Sequence, residues 1–133
     1  MGDDSEQLEA GRAAFNRGEY FLAHELWEEV WREVEEVEQR TWVQGLIQIA
    51  AGLHHLQQRR TGPGVGLLRK GLDKLAPHRQ RQARSELLGQ LDVDLLAGQL
   101  ARLLVELDAP RTEPGMRMTT ELTSAPDLSH LKI

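Results

Sequence analysis

The stretch Glu19-Tyr20-Phe21-Leu22-Ala23-His24-Glu25-Leu26-Trp27-Glu28-Glu29-Val30-Trp31-Arg32-Glu33-Val34 decides the fold class. At about 100° per residue, Tyr20, Ala23, His24, Trp27, Val30, Trp31 and Val34 share one arc. Glu25, Glu29, Arg32 and Glu33 point the other way. This is an amphipathic helix with a wide apolar face, from Glu19 or Tyr20 to about Val34.

The same periodicity extends in both directions. A first helix is predicted from Ser5 to Arg17, with Asp4 as N-cap, Gln7 three residues on, and Gly18 just past its end. Glu35 to Gln39 reads as a polar turn. A third helix follows from about Arg40 to Arg60, with Trp42, Leu46, Ile49, Leu53 and Leu56 at helical spacing. Gly45 and Gly52 lie seven apart on one of its sides, which suggests a neighbouring backbone packed close. Thr61-Gly62-Pro63-Gly64 is a breaker. A fourth helix is expected from Gly64 to Leu75, stopping before Pro77. A fifth is expected from Arg79 to Gly89, and a sixth from Val93 to Leu107 with Asp92 as cap. No stretch shows the period-two pattern of a strand.

The expected fold is therefore all-α, a compact bundle of about five to six helices. Gly11, Gly18, Tyr20, Ala23 and Trp27 follow the register of a tetratricopeptide hairpin, in which small residues admit large ones from the partner helix. A shift of 41 sets Gly52, Gly64 and Leu68 against Gly11, Ala23 and Trp27. The first four helices are thus expected as two tetratricopeptide-like antiparallel hairpins. Residues 1–107 form one helical domain, and 108–133 an extended or disordered tail in which Leu128, Leu131 and Ile133 could dock.

Composition narrows the function. The chain has 133 residues, 40% of them hydrophobic, and no cysteine. Disulfides, thiolate metal sites and cysteine nucleophiles are excluded, and a reducing cytoplasm fits. The acidic start lacks a signal pattern, and no apolar run is long enough for a membrane span. A net charge of −5 argues against nucleic acid as a partner. Eight glutamates oppose one arginine between residues 19 and 38, and eight basic residues oppose one aspartate between 59 and 84. These are two solvated faces of opposite sign, or surfaces for a partner or a homodimer.

His24 and Glu28, four apart on one helix face, are the candidate catalytic pair. If the second and third helices are antiparallel, the pair lies near the end of the third helix and meets His54 or His55. Three functional readings follow. In a binding module, His24, Glu28, Gln44, Gln48 and His55 fix the polar groups of a small ligand or peptide, and Tyr20, Trp27 and Trp31 its apolar part. In a hydrolase, His24 and Glu28 act as acid and base, or with His54 hold a divalent metal such as zinc or iron. In a purely structural role, the pair is a buried hydrogen-bond network. The zinc-protease pattern His-Glu-x-x-His is absent. Gly62-Pro63-Gly64-Val65-Gly66 lacks the Lys-Ser/Thr ending of a phosphate loop. No serine stands near an evident base.

Two blocks carry a resemblance. Ala14-Phe15-Asn16-Arg17-Gly18-Glu19-Tyr20 through Trp31 is similar to the opening of domain-of-unknown-function family 309. Gln44-Gly45-Leu46-Ile47-Gln48-Ile49-Ala50 with His54-His55 is similar to its second block. The resemblance covers about Gly11 to Leu75 and implies a small, all-helical protein of a bacterial and archaeal family without an established activity. It singles out His24, Glu28 and Trp31, with Gln44, Gly45 and Gln48. After Arg60, Thr61-Gly62-Pro63 stands where the family tends to have Gly-Asn.

Overall fold

A computed structural model describes residues 3–80, 91–108 and 126–133. Five helices follow in order: α1 (Asp3–Asn16), α2 (Tyr20–Glu33), α3 (Val37–Gln57), α4 (Thr61–Gln80) and α5 (Val93–Asp108). Among the described residues there is no strand. Each of the first four helices packs on the next, and α5 packs on α4.

The helix ends follow from local chemistry. Gly18, at φ 82°, closes α1. Its N–H donates to the Phe15 carbonyl, and that of Glu19 to Ala14, which satisfies the last carbonyls of the helix. The end of α3 repeats this pattern with Arg59 at φ 61°, where an L side chain is disfavoured. There Arg59 N–H donates to Leu56 and Arg60 N–H to His55. At α5, the Asp92 carboxylate accepts the Leu95 N–H at 2.9 Å, as expected of a cap.

Three helices differ in their bounds from the sequence reading. α1 begins at Asp3, so Asp4 lies inside it and does not cap it. α3 begins at Val37 and not Arg40, because the Glu36 carboxylate accepts the N–H groups of Glu38 and Gln39. The polar turn is thereby shortened to its first residues. α4 begins at Thr61 and runs through Pro77 to Gln80. Pro63 sits in the first turn, where its missing N–H has no helical partner to lose, so the predicted breaker starts the helix. The helix expected from Arg79 to Gly89 falls mostly on residues 81–90, outside those described.

α3 is the central helix. Ten of its residues are buried, spread around most of its circumference. Its contact with α4 is antiparallel and glycine-lined. A Cβ on Gly45 would stand 2.9 Å from the Gly71 carbonyl oxygen, and one on Gly52 the same distance from that of Gly64. The seven-residue glycine spacing of α3 is thus matched by one on α4, and the backbones touch over two turns. The α1–α2 hairpin uses the expected tetratricopeptide logic at one point. Gly11 lies against the Trp27 indole so closely that no side chain fits between them. Phe15 meets Tyr20 edge-to-face at 5.0 Å between ring centroids and stacks on Trp27 at 5.7 Å.

Residues 126–133 form a strap across the bundle. Leu128, Leu131 and Ile133 are buried in the main core. Two side-chain amides hold the strap as a paired strand would. Asn16 accepts the Ile133 N–H at 2.9 Å and donates to the Ile133 main-chain oxygen at 3.3 Å. Gln99 accepts the Lys132 N–H at 3.1 Å and donates to the His130 carbonyl at 3.0 Å. Arg12 adds a 2.7 Å bond to Ile133. The strap therefore ties α1 to α5.

Candidate functional site

His24 and Glu28 project from α2 on the flank that faces α3. Nε2 of His24 is 3.0 Å from Oε1 of Glu28, and Arg32 Nη2 lies 3.6 Å from the other carboxylate oxygen. The side chains are 24% and 37% exposed, so the pair is neither sealed in the core nor freely solvated. Nε2 is the imidazole nitrogen turned to the carboxylate, and Nδ1 is on the far side of the ring. That Nδ1 is buried and has no hydrogen-bond partner.

α2 and α3 run antiparallel, and the expected proximity of the start of α2 to the end of α3 is present. Gln57 Nε2 donates to the Gly18 carbonyl at 2.9 Å. Phe21 bridges the two helices one turn further along. Its ring stacks on His24 at 5.8 Å and meets His54 at 5.2 Å. Phe21 is 51% exposed, which is unusual for a phenylalanine held by two imidazoles. It was missed in the sequence because it lies outside the apolar arc of α2.

The other expected residues disperse. Trp27 is fully buried and its Nε1 donates to the Leu8 carbonyl at 3.0 Å, so it belongs to the core and offers no face to a ligand. Tyr20 is also buried, with its hydroxyl donating to the Leu128 carbonyl at 3.3 Å. Burial, and then the Asp127 carboxylate, push its phenol up to about 12. Trp31 is half-buried and packs on the core, with the Arg40 guanidinium 4.2 Å above its ring. Gln48 faces α4 and accepts from Lys74 Nζ at 3.0 Å. Gln44, one turn earlier, shares that side of α3. The two glutamines are therefore not opposite His24 and Glu28.

His54 reaches Phe21, whereas His55 points elsewhere, as adjacent helical residues must. His55 Nδ1 is buried and unpartnered. Burial first, then the charges of Arg60 and His54, hold its imidazole below its ordinary value of 6.5. Among the described residues, no group of three or more His, Asp or Glu side chains stands close enough to hold a metal ion. His24, Glu28 and His54 are thus not assembled as a ligand set, because Phe21 occupies the space between the two histidines' helices.

A cavity of about 400 Å³ opens elsewhere, between the α1–α2 turn and the strap. It excludes both His24 and Glu28. Tyr20 is the one residue from the sequence-derived set that lines it.

Comparison with known proteins finds similarity over part of the chain. Residues 8–67 match the family model of the Domain of unknown function (DUF309). The match contains α2, the His24–Glu28 pair, the whole of α3 and the first turns of α4. Relative to the resemblance read from the sequence, the matched stretch begins three residues earlier and ends before Leu75. The chain is also 30% identical over 73 residues to an uncharacterized protein of Aquifex aeolicus (strain VF5). That stretch covers 55% of this chain and 22% of the Aquifex protein. No solved structure matches. Among the described residues, no helix is long and apolar enough to cross a membrane. The pairs Gly45/Gly71 and Tyr20/Leu128 join the matched stretch to chain beyond it.

Proposed function

We propose that this protein is a binding module whose α2–α3 surface takes a peptide segment bearing a cationic side chain beside an apolar one. The observation that carries this reading is the half-exposed Phe21 ring, held between His24 and His54, with the partly exposed Glu28 carboxylate paired to that same His24. An aromatic face offers apolar contact and a seat for a cation. Glu28 supplies the counter-charge, and the exposed Glu25 on the same helix adds to the acidic charge of α2. Such a field favours a basic partner and speeds its approach.

The acid–base alternative, a hydrolase using the same pair, has weaker support. A general base needs a free imidazole nitrogen within reach of substrate. Here Glu28 holds Nε2, and Nδ1 is buried. The purely structural alternative is weakened by the exposure of both side chains.

The test is a titration of the labelled full chain with a short amphipathic lysine–leucine peptide, followed by nuclear magnetic resonance. Perturbed signals are expected at Phe21, His24, Glu28, His54 and the Trp31 indole. Phe21→Ser combined with Glu28→Gln should abolish them while leaving the melting temperature nearly unchanged. An unaltered spectrum at saturating peptide would sink the proposal.

A further inference from the structure

The cavity between the strap and the α1–α2 turn has the features of a built anion site. Its volume of about 400 Å³ lies in the range of small-molecule pockets. Its walls come from three parts of the chain: Arg17 and Tyr20 at the turn, Gln57 at the end of α3, and Asp127, Ser129 and Lys132 on the strap.

Lys132 is the residue that gives it chemical character. Its ammonium donates to the Asn16 carbonyl at 3.1 Å and to the Ser129 carbonyl at 2.8 Å. Both acceptors are main-chain groups held by the fold, so the charge is fixed in place. An ammonium carries three N–H donors, and the third has no acceptor among the described residues. No carboxylate among the described residues pairs with it. Arg17 binds Glu19 through Nε at 2.6 Å, and its terminal nitrogens have no partner among the described residues. Asp127 also lines the cavity, but both Ser129 donors, the N–H at 3.0 Å and the hydroxyl at 2.7 Å, bond to its Oδ1. Its charge is thus partly answered within its own turn.

We infer that this cavity binds a small organic molecule through an anionic oxygen group, carboxylate or phosphate, seated on Lys132 and Arg17. Gln57, whose amide nitrogen is committed to Gly18, presents its carbonyl oxygen to the rest of the ligand. The site shares no residue with the His24–Glu28 pair, so it stands or falls independently of the peptide surface.

The experiment is calorimetric titration of the full chain with succinate, citrate, inorganic phosphate and adenosine monophosphate at constant ionic strength. At least one probe should saturate with Kd below about 1 mM. Succinate or citrate against phosphate or the nucleotide then separates a carboxylate from a phosphate ligand. Lys132→Gln should weaken binding about tenfold or more. Because that change could also loosen the strap, Gln57→Glu is the second variant. It leaves the strap's anchors intact and sets a negative charge against the ligand, with a similar loss expected. Lys70→Gln, exposed on α4 outside the cavity, should bind as the parent does. Failure of all four probes to saturate, or equal affinity in the parent, Lys132→Gln and Gln57→Glu, would overturn the inference.

Discussion

Gly71 and Gly45 meet across the α3–α4 contact so closely that a Cβ on Gly71 would stand 2.6 Å from the Gly45 carbonyl oxygen. The obstacle is backbone, which cannot rotate away as a side chain would. Gly71→Ala gains helix propensity but forces the helices apart, so a net loss of about 1–3 kcal/mol is expected. At Gly66, also in α4, a Cβ would meet nothing within 4 Å. Gly66→Ala should stabilise by about 0.5–1 kcal/mol. Denaturant unfolding of the two variants checks the opposite signs.

Tyr20 is the sole tyrosine, so the ultraviolet signal of tyrosinate reports on it alone. Its phenol is raised from 10.0 to about 12 by burial and by Asp127. The folded state thus retains a proton that the unfolded state releases, and stability must fall as pH rises from about 10 towards 12. Tyrosinate absorbance should appear together with loss of helical circular dichroism. Ionisation near 10 with the helices intact would show that the phenol is exposed.

His55 carries the opposite dependence. Its lowered value favours the neutral imidazole in the folded state. Its contribution is complete above the unfolded value of 6.5 and is lost as pH falls from there through the folded value. His55→Gln should flatten the stability profile in that window. Urea midpoints at pH 7 and at successively lower pH give the comparison.

The His24–Glu28 pair is half-open, and pairs of this kind contribute little to folding. His24→Ala should cost about 1 kcal/mol or less. A loss of several kcal/mol in thermal or chemical unfolding would instead support the structural reading of the motif.

Asn16 holds the strap through two reciprocal bonds to Ile133. Asn16→Ala leaves the Ile133 N–H unpaired and its oxygen with Arg12 alone, and should cost about 1–3 kcal/mol. Limited proteolysis should then cut near residues 126–133 faster than in the parent, with α2 and α3 still protected.

Much of the helical architecture was legible because helix signals are local. The register of α2, the Gly18 stop and the Asp92 cap each depend on a few neighbouring residues. The Gly45–Gly52 spacing even announced a close backbone partner, although Gly64 and Gly71 as that partner required the α3–α4 pairing. Errors came where two local signals competed. Pro63 reads as a breaker but is tolerated in a first turn, and Glu36 hid among other glutamates until its capping bonds were seen.

By itself, then, the sequence determined that the chain is helical, which face of α2 is apolar, and that His24 and Glu28 lie within reach of each other. Periodicity and i, i+4 spacing suffice for that. Tertiary structure decided what those residues face. The rotation of α3 turns Gln48 to Lys74 and His54 to Phe21, and packing buries Trp27 against Gly11. The Tyr20–Leu128 and Asn16–Ile133 bonds join residues more than a hundred positions apart. Their partners depend on how the helices and the strap assemble around one core, and no local pattern encodes that choice.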